Sequence, residues 1–305
     1  MPTRPSELPA PGGRVLHLGL APGEIADRVV LVGDPARALR VAARFERIDH
    51  DVRRREYVTL TGRLRGERVS VIGTGIGTDN VEIALIEAHA VLCHDLATGL
   101  PLPDAPQVSF VRVGTSGGAH PDIEPGAAVV AAYALGLDST GLFYEGPAED
   151  DVVLDLERRA TELLREGEDV HSRFRGAVRP YASKADPALV DALRRAAAAG
   201  GLHTLVGVTG TLPGFYAPSG RYVERLAATV TDIKERLGRV RSGSWRLLNY
   251  EMESSLLFLL AGQLGHRAGT ICPIISTPGE HGRVIDYKPV VEQAIDVGLA
   301  ALLAS

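Results

Sequence analysis

Cysteine is nearly missing. Only Cys93 and Cys272 occur in 305 residues, far apart and in apolar surroundings. That excludes a disulfide framework and a cysteine-built zinc site, and it fits a reducing compartment. The opening MPTRPSELPAPGGR has no apolar stretch of the secretory type. No apolar run elsewhere reaches the length of a membrane span. Residues 1–14 therefore read as a disordered, Pro-rich lead on a cytoplasmic protein with no membrane partner. An excess of one charge is also missing. Lys and Arg total 33 against 38 Asp and Glu, for a formal net charge of −5, and the arginines are interleaved with acids. Nothing here suggests a nucleic-acid surface. There are no internal repeats and no long linker. After the initiator, methionine occurs once, as Met252 between Glu251 and Glu253.

Hydrophobic residues make up 45% and charged residues 23%, an ordinary globular mix. Short β-branched runs alternate with Ala/Leu-rich helical patterns. RVVLV (28–32) precedes a helical 36–45, and RVSVIGT (68–74) precedes a helical 79–92. Strand-like runs follow at 108–115, in GAAVVAAYAL, at 204–211 and at 267–276, with an apolar helix at 254–265 before the last. This alternation predicts an α/β fold around a mixed, mostly buried sheet flanked by helices. Residues 145–200 carry charged helical segments and few strand signals, so they read as a peripheral helical insertion. The remainder, 15–305, reads as a single domain.

Several motifs could carry chemistry. In VVLVGDPARALR a buried strand ends at Gly33-Asp34-Pro35 and a helix starts at once. Bare backbone at a helix N-terminus favours an anion, and Arg37 in the first turn could close on a phosphate. The plainer alternative is a strand, a turn and a surface arginine. In FVRVGTSGG, Arg112 lies inside an apolar strand that breaks into Gly114-Thr115-Ser116-Gly117-Gly118. A buried guanidinium needs a partner, either a ligand or a core carboxylate. Strand carboxyl ends are where α/β sheets bind ligands.

Arg55 and Glu56 precede the next strand, a weak signal alone. GTGIGTDN (73–80) lacks the third glycine of a dinucleotide loop, where Thr78 stands, and reads as a glycine-rich turn beside a substrate. In NYEMES, Glu253 falls near a helix N-terminus, where negative charge is favoured. A carboxylate can also accept two hydrogen bonds from a diol, and a thioether can pack on a sugar face. The Gly/Pro-rich loop 209–225 offers Phe215, Tyr216, Ser219 and Arg221, which could stack on and hydrogen-bond a flat heterocycle.

Together, LHLGL (16–20), GDPAR (33–37), REY (55–57), TGIG (74–77), VRVGTSGG (111–118), FYAPSGR (215–221) and NYEMES (249–254) resemble the nucleoside phosphorylase-I superfamily, most closely its uridine phosphorylases. The likeness spans about 16 to 275 and is weakest at 145–200. It implies a central sheet curled into a distorted barrel. It implies phosphorolysis: nucleoside plus phosphate gives free base and ribose 1-phosphate, a pentosyl transfer with inorganic phosphate as co-substrate, no cofactor and no metal. It implies phosphate binding by Gly33, Arg37, Arg55, Arg112 and Thr115. Ribose would be bound by Met252 and Glu253, with Glu251 lining the site, and the base by Phe215, Ser219 and Arg221. Arg112, Glu253 and Arg221 would bear on the reacting bond. His17 matches a histidine lent by a neighbouring subunit to the 5′ end of ribose, so a homodimer, or a hexamer as a trimer of dimers, is expected.

Two base-reading positions depart from the uridine phosphorylase pattern. Ser219 stands where a glutamine is usual, and Ser276-Thr277-Pro278 runs where an arginine is frequent. Arg283 is a possible substitute. The acid that purine-specific relatives place near this strand end has no counterpart in register, Glu280 falling a few residues late. Other readings are a phosphorylase for another or modified base, a nucleosidase using water, or a non-catalytic nucleoside-binding protein. The arginine set argues against the nucleosidase.

Overall fold

The computed structural model describes residues 5–146, 150–278 and 285–304. Its strands are β1 (Arg28–Val32), β2 (Arg47–Arg54), β3 (Tyr57–Leu64), β4 (Glu67–Gly73), β5 (Ser109–Val113), β6 (Ser116–Gly118), β7 (Ala128–Gly136), β8 (Tyr181–Lys184), β9 (Thr204–Thr211), β10 (Arg241–Ser242), β11 (Trp245–Glu251) and β12 (Arg267–Ser276). The helices are α1 (Pro35–Ala42), α2 (Thr78–Cys93), α3 (Asp151–Glu166), α4 (Pro187–Ala199), α5 (Ile233–Gly238), α6 (Ser254–Gln263) and α7 (Lys288–Leu303).

All twelve strands belong to one mixed sheet, in the order β2-β3-β4-β1-β5-β12-β6-β11-β9-β7-β8, with β10 on β11. An extra antiparallel pairing of β12 with β7 closes the circuit β12-β6-β11-β9-β7. The sheet is thus part open and part barrel. The inner strands β1, from Val29 on, and β7 are apolar runs, and β5 is apolar apart from Ser109 and Arg112, because both faces are covered. The apolar helices α2 and α6 pack on one face with Phe110 and Leu31, while α1, α4 and α7 pack on the other with Val30, Val111 and Ile271. Residues Ser254 to Ala261 of α6 are all buried, so this helix shows no polar stripe.

Two expectations need correction. Residues 145–200 are not peripheral throughout. Strand β8 pairs with β7, and α4 buries Leu189, Leu193 and Ala197 against α7 and the sheet. Its alternating alanines conceal a core face, because small side chains allow close helix approach without a strong apolar pattern. The lead is also docked where it is described. The Ser6 amide donates to the Gly99 carbonyl at 2.8 Å, and Arg14 pairs with Glu24 at 2.6 Å. Residues 1–4 lie outside the described residues.

Candidate active site

One cavity, about 840 Å³, opens where the carboxyl ends of β1, β5, β9, β11 and β12 converge. It is lined by the ends of those strands and the turns after them, joined by the β4–α2 turn and by the loop and helix between β9 and β10.

At one side β1 stops at Gly33. Asp34 caps α1, accepting the Ala36 amide at 2.8 Å, and Pro35 occupies the first turn. Arg37 follows on the buried face of α1. Its Nη1 donates to the Val113 carbonyl at 3.1 Å, its Nε has no partner, and it pairs with no carboxylate among the described residues. Burial first, and then the charge of Arg112, hold this guanidinium below its ordinary pKa. A buried, under-satisfied cation beside a second cation, at a helix N-terminus, is a place that an anion would stabilise. Thr115 and Ser116 line the same side.

Arg112 is the link to the other half. Its Nη1 lies 3.1 Å from Glu251 Oε2 and donates to Cys272 Sγ at 3.2 Å, and its Nη2 donates to Glu253. Burial opposes its charge, but Glu253 and Glu251 outweigh burial and hold its pKa above the ordinary value. The core-carboxylate alternative for Arg112 is therefore correct. So is its place on the cavity wall, because its partners are the two glutamates of NYEMES.

Those glutamates differ in freedom. Glu251 accepts from Thr211 Oγ1 at 2.6 Å, from Ser254 Oγ at 3.0 Å, and from the amides of Glu253 and Ser254 at 3.1 Å. Its side chain is 0% exposed. With its lone pairs spent, it positions Arg112 and the turn and has no free oxygen to offer a ribose hydroxyl. Glu253 accepts the Gly77 amide on Oε1 at 2.9 Å and the Met252 amide on Oε2 at 3.2 Å, which leaves acceptor capacity on Oε1. Burial raises the Glu253 pKa, against Arg112 and those amides. The glycine-rich turn thus serves as a carboxylate holder, with Gly75 and Ile76 on the cavity wall.

The third side is aromatic and cationic. The Arg221 guanidinium stacks 3.7 Å from the Phe215 ring centroid and donates to the Phe215 carbonyl at 2.6 Å. Ser219 Oγ donates to the Gly214 carbonyl at 2.6 Å, so its proton is committed inside its own loop. Leu212, Lys234 and Tyr250 complete this end. The motifs missed Lys234 and gave Tyr250, although it lies within NYEMES, no role. Lys234 sits in an unremarkable charged stretch, TDIKERL, and only its fold-back beneath Tyr250 brings it here.

Other expected site residues lie elsewhere. Arg55 is not on the cavity wall: it is exposed at the tip of the β2–β3 hairpin, with φ 52°. His17 lies beside Glu87, whose carboxylate accepts from the His17 amide at 2.9 Å, and Nδ1 is 2.7 Å from the same carboxylate. That position is outside the cavity of its own chain. Pro278 is exposed at the end of the described stretch, and Glu280 and Arg283 fall outside the described residues.

One further group has metal-ligand chemistry. His89, Cys93 and His266 offer atoms within 4.8 Å of one another, although the spacing of the cysteines suggested no such group. Hydrogen bonds account for it without an ion. The Val108 amide donates to His266 Nδ1 at 3.2 Å, which leaves the proton on Nε2 to reach His89 Nδ1 at 2.8 Å. Burial lowers both pKa values to about 4, so both rings are neutral at pH 7.

The arginine's position depends on a glycine. A Cβ at Gly114 would collide with the Arg112 guanidinium and come within 2.6 Å of Cys272 Sγ. Gly114→Ala is therefore expected to lose about 1–3 kcal/mol of stability through overpacking. A urea midpoint unchanged from wild type would refute that account.

An anion cradle, a buried carboxylate with spare acceptor capacity and a stacking platform in one cavity define a site for an oxyanion beside a polyol bearing a flat ring. The description of the phosphorylase superfamily matches residues 27–304, and the chain belongs to that family. Among its relatives, a uridine phosphorylase of Thermococcus kodakarensis is 27% identical over 272 residues, covering 87% of this chain and 78% of that one. A DeoD-type purine nucleoside phosphorylase of Oceanobacillus iheyensis is 27% identical over 262 residues, covering 85% and 86%. A Trypanosoma brucei nucleoside phosphorylase, described as showing uridine phosphorylase activity, superposes with a TM-score of 0.85 at 29% identity, covering 98% of this chain and all of that one. No helix among the described residues is long and apolar enough to cross a membrane.

Proposed function

We propose that this protein is a uridine phosphorylase, converting uridine and phosphate to uracil and ribose 1-phosphate. The observation that carries this reading is the closeness of Arg112 to a buried Arg37 that has no carboxylate partner among the described residues and an unsatisfied Nε, one wall away from Glu253. Phosphate would lie against Gly33, Arg37, Arg112 and Thr115. Glu253 would accept from the ribose hydroxyls, with Met252 against the sugar face. The base would lie under Phe215 and Arg221.

Phosphate oxygen then attacks C1′ while the C1′–N1 bond breaks, its electron pair leaving with the base. Glu253 stabilises the positive charge that develops at the sugar, and the arginines hold the nucleophile in line. Catalysis is positioning and electrostatics, with phosphate as co-substrate and no cofactor required. Arg37 favours phosphate over water as the nucleophile, because hydrolysis has no use for a buried cation there.

A pyrimidine is favoured over a purine because no carboxylic acid faces the base end among the described residues, and purine departure is helped by an acid at N7. The relatives' names alone would not make that choice, since both base classes occur among them. The committed Ser219 hydroxyl reads the uracil edge poorly, which predicts a relaxed pyrimidine range. The His17 position outside its own cavity supports a homo-oligomer in which the histidine serves a neighbour's ribose, as a dimer or a trimer of dimers.

The test is base release from uridine, thymidine, inosine and adenosine, each with and without phosphate. Phosphate-dependent cleavage of uridine and thymidine with the purine nucleosides left intact is expected. Cleavage without phosphate, or of inosine in preference to uridine, would overturn the reading.

A further inference from the structure

The base end of the cavity carries a charge that the phosphate and ribose halves do not use. Lys234, the second residue of α5, is one of three lysines in a chain whose other basic residues are arginines. It lines the cavity, with its ammonium 5.3 Å from the Tyr250 ring centroid. It forms no hydrogen bond or ion pair through that ammonium among the described residues. Its backbone is fixed, because the Tyr250 hydroxyl donates to the Lys234 carbonyl at 2.6 Å. Burial, and then the charge of Arg221, hold its pKa below the ordinary lysine value.

Among the described residues three acids line the cavity, Asp34, Glu251 and Glu253. Asp34 caps α1, and the two glutamates are taken by Arg112. Among the described residues, the base end therefore holds two neighbouring cations, Lys234 and Arg221, with no carboxylate on its wall, and the nearby charge of Glu235 only partly offsets the burial of Lys234 and the repulsion from Arg221. Such an arrangement is costly in the empty protein and is relieved when negative charge arrives between them.

We propose that Lys234 is a leaving-group residue: together with Arg221 it takes up the negative charge that develops on the departing pyrimidine. This rests on the phosphorylase reading. As the C1′–N1 bond breaks, its electron pair spreads over N1 and the adjoining carbonyl oxygen. The base leaves as an anion and takes its proton from solvent on release. The second cation does the work that a glutamine at position 219 would share, by charge in place of edge recognition. The substrate class follows: nucleosides whose base departs as a stabilised anion, with tolerance for ring substituents that make it more acidic.

The experiment measures single-turnover phosphorolysis of uridine and 5-fluorouridine by wild type, Lys234→Met and Lys234→Arg. Fluorine withdraws electrons and makes the base a better leaving group, so it needs the cation less. For Lys234→Met the uridine rate is expected to fall about 10²-fold, as for loss of one preorganised charge stabiliser. The 5-fluorouridine rate should fall several-fold less, and Lys234→Arg should recover most of the uridine rate. A phosphate-induced rise in Tm equal to that of wild type shows that each variant is folded. Equal losses on both substrates, or no loss on either, overturns the role of Lys234 while leaving the phosphorylase reading intact. Failure of the wild type to cleave either substrate removes the phosphorylase reading and this role with it.

Discussion

Arg112→Met is expected to lose about 10³-fold in phosphorolysis and about 3–5 kcal/mol of stability. The activity loss follows from removing a cation that lines the cavity between the phosphate and ribose sides. The stability loss has a separate cause. Glu251 and Glu253 are both buried, and among the described residues Arg112 is the one guanidinium that reaches both. Methionine fills much of the volume but leaves two carboxylates unpaired. Glu253, whose pKa burial already raises against Arg112, can escape by taking a proton, so its folded-state pKa rises further above the unfolded one. Stability linked to a raised carboxyl pKa is retained below the unfolded value and lost as pH rises through the folded one. The penalty should therefore be larger at pH 8 than at pH 5.5 in urea denaturation. A penalty that is the same at both pH values would show that the glutamates are held by their amide and hydroxyl donors alone.

Arg37→Met gives the opposite pattern. The apparent KM for phosphate should rise about 10²-fold, the loss of a charged hydrogen-bonding partner in a water-poor site. Stability should stay level or rise by up to about 1 kcal/mol. Arg37 has no carboxylate partner among the described residues, its Nε is unsatisfied, and Arg112 repels it. Removing such a group relieves a cost instead of breaking a pair. Phosphate should raise the Tm of the wild type and leave that of the variant nearly unmoved, because only a ligand bound by the folded state shifts the transition. A variant as unstable as Arg112→Met would reassign Arg37 to the structural core.

Both arginines lie close to an apolar strand in the sequence, Arg37 in the first helical turn after β1 and Arg112 inside β5. They differ because Arg112 points toward β11 and α6, where the glutamates stand, and Arg37 points toward a carbonyl and open cavity. A similar separation divides Glu251 from Glu253. Spacing says that both could face a sugar. The hydroxyls of Thr211 and Ser254, which saturate Glu251, come from another strand and the next helix.

Local signals were enough for much of the fold. β-branched runs bounded by glycine marked β1, β4, β9 and β12 to within a residue or two, because strands buried on both faces must be apolar throughout. Asp34 and Pro35 marked the start of α1, because a cap and a prolyl first turn act within a few residues of chain. The motif order carried the family, since several of its pieces, GDPAR, TGIG, VRVGTSGG and NYEMES, sit at strand carboxyl ends, where chemistry collects. Closure of the barrel through β12 and β7 was decided by tertiary structure, as was the burial of the Ala-rich α4. So were the exclusion of Arg55 and His17 from the cavity of their own chain and the arrival of Lys234 at its base end. Each of these depends on contacts between segments far apart in sequence, and a local pattern of residue types holds no record of which distant segment will pack against it.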